Sequence, residues 1–113
     1  MITSYEFGRI VIDGRTYTSD VLITPRGVNG SWWRKSGHSV VPEDIGEMVK
    51  AAPDTIILGQ GKPGLMKATK ELRNYLKEQG IVLIEEPTAK AVETFNRMTG
   101  EGANVCAGFH LTC

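Results

Sequence analysis

A chain of 113 residues, 41% hydrophobic and 23% charged, is long enough to bury one core without disulfides or metal, and its composition excludes a disordered, collagenous or low-complexity protein. Its 13 basic and 13 acidic residues cancel, whereas a dedicated nucleic-acid binder carries a basic excess to neutralise phosphate. No apolar run is long enough to span a bilayer, and residues 1–6 lack the basic start and apolar run of a secretory signal, so the expectation is a soluble, cytoplasmic chain with no nucleic-acid or membrane partner.

The elements follow in chain order. Residues 7–12 and 16–23 are rich in Ile, Val and Tyr and flank Asp13-Gly14, a dipeptide that supplies the positive φ angles of a tight turn, so the chain is expected to open with an antiparallel hairpin. Pro25, Gly27, Asn29 and Gly30 interrupt any regular pattern, and Ser31-Trp32-Trp33-Arg34 reads as a short strand or an aromatic-rich loop. Pro42, followed by Glu43 and Asp44, suits a first helical turn; Ile45, Met48 and Val49 share a face before Pro53 stops the helix. Thr55–Leu58 is a continuous apolar run, expected as a central strand buried on both faces. Leu65, Ala68, Leu72 and Leu76 recur at helical spacing, and Gly80 ends that helix. Ile81–Ile84 reads as a second buried strand. Pro87-Thr88 opens a helix with Ala91, Val92, Phe95 and Met98 or Thr99 inward, closed by Gly100 and Gly102, and residues 105–111 form the last strand.

Strand, helix, strand, helix, strand after a hairpin describes one α/β domain over residues 1–113, a three-layer sandwich on a mixed sheet with right-handed crossovers. Periodicity leaves strand order and the direction of the last strand open. The cysteines, Cys106 and Cys113, lie too far apart along an extended strand to form an intrachain disulfide and are expected as reduced thiols.

Four groups of residues carry candidate chemistry. Gly59-Gln60-Gly61-Lys62-Pro63-Gly64 is a G-x-G-x-x-G between a buried strand and a helix, the context in which backbone N–H groups cradle an anion, with Gly59, Gly61, Lys62 and Gly64 as candidates. Pro63 removes one donor, and the chain is too short for a full dinucleotide fold, so a tight turn is the competing reading. Glu85 and Glu86 are neighbours that would face opposite sides of a strand, which favours a solvated loop before Pro87 over a carboxylate pair. Trp32, Trp33, Arg34, Lys35 and His38 mix aromatic and basic groups as interfaces do; the alternative is a core tryptophan with Arg34 covering it or pairing with a carboxylate. His110-Leu111-Thr112-Cys113 contains metal-ligating and nucleophilic residue types, but strand geometry separates them, so no metal is expected and His110 is expected to bond a backbone or hydroxyl group. A parallel last strand would gather the Gly59–Gly64 loop, the Glu85–Thr88 loop and the His110–Cys113 tail at one sheet edge, where open α/β sheets bind ligands.

The ordered pieces Phe7-Gly8-Arg9-Ile10 with Tyr17 and Asp20-Val21, Trp33-Arg34 with Gly37-His38, Ile56 to Gly61, Pro87-Thr88 with Ala91-Val92 and Phe95-Asn96, and His110 to Cys113 span essentially the whole chain. Together they resemble a family of small single-domain proteins that includes the mitochondrial complex I assembly factor 3 and the adipogenesis-associated single-domain proteins. The resemblance implies a three-layer α/β fold and favours assembly or binding over catalysis. It supplies no catalytic residues. Trp33, Arg34, His38, Thr88, Asn96, His110 and Cys113 stand as interface or pocket candidates, and Gly64 as a weaker anion candidate than Gly59 and Gly61. The expected function is a protein-binding or assembly module with an unidentified protein partner and no cofactor. The alternative is a small anion- or phosphate-recognising enzyme using the Gly59–Gly64 loop.

Overall fold

The computed structural model describes residues 1–113. In chain order it contains β1 (Ile2–Glu6), β2 (Arg9–Ile12), β3 (Arg15–Tyr17), β4 (Val21–Thr24), β5 (Gly27–Asn29) and β6 (Ser39–Val40). A 3-10 turn (Pro42–Ile45) leads into α1 (Gly46–Lys50), then β7 (Thr55–Gly59), β8 (Lys67–Ala68), α2 (Lys70–Glu78), β9 (Val82–Glu86), α3 (Thr88–Gly100) and β10 (Val105–Phe109). The main sheet has the order β5-β4-β10-β7-β9; β1, β2 and β3 form a separate antiparallel sheet, and β6 pairs with β8 in parallel.

The turn at Asp13-Gly14 joins β2 to β3 with φ angles of 49° and 81°, the left-handed pair that a two-residue hairpin requires. The strand expected over 16–23 is divided. β3 ends at Tyr17 and β4 starts at Val21 in the other sheet, with Asp20 between them, its carbonyl accepting the Trp32 N–H and its carboxylate the Leu111 N–H. A further strand, β1, precedes the expected hairpin and pairs along β2.

The apolar run at Thr55 forms β7, buried throughout and flanked by β10 and β9; the central strand is β10, parallel to β7 and antiparallel to β4. β10 ends at Phe109, short of the expected Leu111. The second apolar run departs further from expectation: β9 is an edge strand, and Val82 is 58% exposed. Leu83 packs toward α2 and Ile84 toward α3, so the run is apolar because both faces are covered, while its outer edge has no strand beside it.

The second helix also starts later than its spacing suggests. Thr69 caps it, its hydroxyl accepting the Leu72 N–H at 3.1 Å. Ala68 therefore belongs to β8 and Leu65 to an exposed loop, while Leu72 and Leu76 form the buried stripe.

Period-two alternation divides the core between the two faces of the sheet. Ile57, Ala107 and Phe109 meet Ala91 and Phe95 of α3 and Ile2, Ile10 and Ile12 of the small sheet. Ile56, Leu58 and Cys106 meet Met48, Leu72, Leu76 and the buried Trp32. The Trp32 ring lies so close over β10 that a Cβ at Gly108 would stand 2.6 Å from Cη2. Gly108→Ala is expected to destabilise the fold by about 2 kcal/mol through this overpacking. A lowered urea midpoint with altered tryptophan emission would bear this out, and an unchanged midpoint would contradict the packing.

Candidate functional site

Because β7, β9 and β10 run parallel, their carboxyl ends share one edge of the sheet. The segments that follow them are laced together there. His110 N–H donates to Gly59 O at 2.9 Å, and the Thr88 hydroxyl donates to His110 O at 2.6 Å while accepting from Gly61 N–H at 2.8 Å. Gln60 N–H donates to Glu86 O at 2.8 Å and Lys62 N–H to Thr112 O at 2.9 Å.

Three amides that an anion would use, those of Gln60, Gly61 and Lys62, are thus engaged inside the protein. Gly61 has φ +89°, and a Cβ there would lie 2.1 Å from Thr112 O and 2.7 Å from His110 Cδ2, so both the turn and the approach of the tail require glycine. Gly59 is pressed on Phe109 in the same way. Gly64 adjoins Gln60 and Pro87, and the Lys62 side chain is exposed.

The densest polar arrangement lies beside this edge and centres on Asp20. Its Oδ2 takes Arg34 Nη2 at 2.7 Å and His110 Nδ1 at 2.7 Å, and its Oδ1 takes Leu111 N–H at 2.8 Å. Burial alone would raise the Asp20 carboxyl, but hydrogen bonds from His110, Leu111 and Arg34 outweigh it and hold the pKa below the usual carboxylate range. Arg34 also donates to Gly37 O at 2.9 Å, and its guanidinium lies 4.5 Å over the Trp32 ring. The Trp32 indole N–H in turn donates to Asp44 O at 2.9 Å.

Arg34 has a side chain only 5% exposed, and its Nε and Nη1, with His110 Nε2, are buried without a protein hydrogen-bond partner. The exposed His38 ring meets His110 edge-on at 5.6 Å. Tyr5 closes the cluster by donating to Leu111 O at 3.0 Å; burial raises its hydroxyl pKa.

The sequence candidates separate cleanly in space. Arg34, His38, Thr88, Gly59, Gly61 and His110 come together around Asp20 and the ends of the parallel strands. Asn96 lies elsewhere and bonds both backbone groups of Ile2, at 3.0 and 2.7 Å, pinning β1 to α3. Cys113 is exposed and Cys106 buried, both free, and burial pushes the Cys106 thiol up to about 11, which leaves it protonated at neutral pH. No group of three His, Cys, Asp or Glu side chains is placed to hold a metal ion.

Glu85 and Glu86 lie in β9 rather than in a solvated loop. Glu85 bonds Ala68 N–H and Arg73, and Glu86 accepts from Thr94 on the other face. His110 bonds a carboxylate rather than the backbone or hydroxyl partner expected for its ring. Asp20 and Tyr5 carry no motif spacing; Asp20 enters the sequence reading only as part of Asp20-Val21 in the family resemblance, with no role assigned to it.

Trp33 contrasts with both neighbours. Trp32 is buried and Arg34 is clamped, while Trp33 between them is 76% exposed. The site therefore consists of a sealed polar cluster and a loop, fixed by it, that displays an indole to solvent.

This is a three-layer α/β domain whose polar centre locks a loop and a tail against the carboxyl edge of a mixed sheet. The chain belongs to the family described as protein of unknown function (DUF498/DUF598), which matches residues 2–110. Among solved structures it is similar to MT938, with 26% identity, a TM-score of 0.83, and coverage of 100% of this chain and 98% of that one. It also resembles a conserved hypothetical protein, PH1505, from Pyrococcus horikoshii OT3, at 23% identity, TM-score 0.85, and coverage of 100% and 99%. A third likeness is to a protein from Bartonella henselae described as an outer membrane protein, at 24% identity, TM-score 0.86, and coverage of 99% and 94%. The latter two show the fold alone. No helix here is long and apolar enough to cross a membrane.

Asp20→Asn is expected to cost about 2–4 kcal/mol at neutral pH, because it weakens charge-assisted bonds to two cationic or ring donors and leaves Arg34 buried without its counter-charge. With a folded-state pKa below the unfolded one, ionised Asp20 contributes stability that is full above the unfolded pKa. That contribution disappears as the pH falls through the folded one. The stability gap between wild type and variant should therefore close in acid. Urea titrations across the acid limb measure it, and a gap independent of pH would refute the role given to the charge.

Proposed function

We propose that this domain is a protein-binding module of the assembly type that docks its partner through the loop displaying Trp33. One observation carries this reading: a tryptophan 76% exposed, held between a buried tryptophan and a clamped arginine. Aromatic anchors of this kind dominate interface energies, and a loop fixed before binding loses little entropy when it binds. The resemblance to a family that includes a mitochondrial complex I assembly factor favours the same class.

The reading as an anion-recognising enzyme has less support, because the amides of Gln60, Gly61 and Lys62 already donate within the protein. The Asp20–Arg34–His110 cluster serves on this reading as the anchor of the docking loop, with its side chains withdrawn from solvent.

Trp33→Ala tests the proposal. The exposed ring contributes little to the core, so the urea midpoint should stay within the scatter of wild type. Partners captured natively by the purified wild-type domain should bind at least tenfold more weakly to the variant, the loss typical of an interface anchor. A folded variant that captures the same partners equally well would remove the loop as the docking surface.

A further inference from the structure

Resting on that docking reading, we infer that the partner contributes an extended peptide segment that lies along β5 and places an arginine or lysine beside Trp33. Three observations converge. First, β5 is an edge strand of the main sheet, with β4 on one side and no strand on the other. Second, two clefts run along it between the strand and α1. A cleft of about 350 Å³ holds Trp33, Glu43 and Glu47, and one of about 410 Å³ holds Arg26 and Gly27. They share Asn29, Glu47 and Lys50 and so form one continuous groove. An unpaired strand edge with a groove beside it is the geometry of strand addition, in which main-chain bonds supply affinity and side-chain pockets supply selectivity.

Third, the groove is polarised in a chain whose formal net charge is zero. The Trp33 end carries the exposed carboxylate of Glu43, and Glu47, also exposed, lies beside Lys50 where the two clefts meet. Asp44 does not add to them, since its carboxylate is buried and takes the N–H groups of Val41 and Lys35. Glu47 has a single long contact, 3.4 Å from Asn29 Nδ2. A cation at the Trp33 end gains the Glu43 carboxylate and the face of an exposed indole, a combination that suits a guanidinium or ammonium. Arg26 marks the far end, with Lys50 between. The charged ends lie beyond both ends of a strand that itself spans about 10 Å, and only residues an even number of positions apart point to one face, so the complementary segment carries its acidic residue roughly four positions from its basic one.

The test uses three synthetic eight-residue peptides of alternating Val and Thr: one with Arg and, four positions on, Glu, so that both side chains face the groove; one with the two charges exchanged for like-signed Glu residues; and one with Ser at both places. Each is titrated into the isotope-labelled domain to millimolar concentration while amide and indole resonances are followed. The Arg/Glu peptide should shift the Gly27, Val28 and Asn29 amides and the Trp33 indole, and bind at least tenfold more tightly than the Glu/Glu peptide. In the doubly substituted Glu43→Lys, Glu47→Lys domain, whose fold is checked by urea titration, that preference should reverse.

Shifts that miss β5, an absence of shifts, or binding to β5 without charge preference would each overturn the inference. The docking reading has its own readout in partner capture by Trp33→Ala. If capture is lost in that variant while the peptides ignore β5, the groove fails and the docking reading stands. If capture persists, the docking reading fails, and the inference that rests on it goes with it.

Discussion

A single carboxylate ties three remote parts of this chain together. Asp20 lies at the break between the opening sheet and the main one, Arg34 in the loop after β5, and His110 with Leu111 in the tail beyond β10, and all of them meet on its two oxygens. The bonds span 14, 90 and 91 positions of sequence. No single element would hold this loop or this tail, since neither has a ladder of its own. Backbone bonds hold the tail to Gly8, Gly59 and Lys62 and the start of the loop to the Asp20 carbonyl, and the Asp20 carboxylate joins loop and tail to each other; its depressed pKa is the thermodynamic counterpart of that link.

Glycine allows the tail to arrive. The tail crosses Gly61 at a distance no side chain tolerates, and Thr88 bonds the crossing from both sides with one hydroxyl. A motif that in other settings opens toward phosphate is here folded onto the chain's own carbonyls and hydroxyl. The chemistry is common to both uses: amides brought into the open by glycine need acceptors, and those acceptors come from a ligand or from the protein. Here Glu86, Thr88 and Thr112 provide them.

Where the sequence was legible, local rules and tertiary structure agreed. Asp13-Gly14 forms its turn, Gly80 takes φ +72° after α2, and Thr55–Leu58 is buried, each because one short segment contains the whole cause. The failures share a different cause. Leu65 and Ala68 keep the helical period of Leu72 and Leu76, yet the Thr69 hydroxyl starts the helix after them, and periodicity does not see a cap. Ile81–Ile84 reads as an interior strand because hydrophobicity reports covered faces and not paired edges. In the site, Arg34, His38, Thr88 and His110 stood out by type and position, but the residue that organises them did not. An aspartate that bonds residues 14 and 90 positions away leaves no spacing to detect.

The buried guanidinium bears on what the adjacent indole can do. Arg34 gives up water at Nε and Nη1 without a protein acceptor, a cost that its bonds to Asp20 and Gly37 and its stacking on Trp32 must offset. Such an arrangement is sensitive to displacement, because any movement of the loop loses the offsetting contacts together. The residues on either side of Trp33 are therefore held far more firmly than exposure of the loop would suggest. On the docking reading this is useful, since an aromatic group carried on a fixed backbone meets its partner with most of its ordering already complete. The polar cluster and the exposed tryptophan are then two parts of one device: the first restricts the loop, and the second is the large hydrophobic side chain that the loop leaves facing solvent.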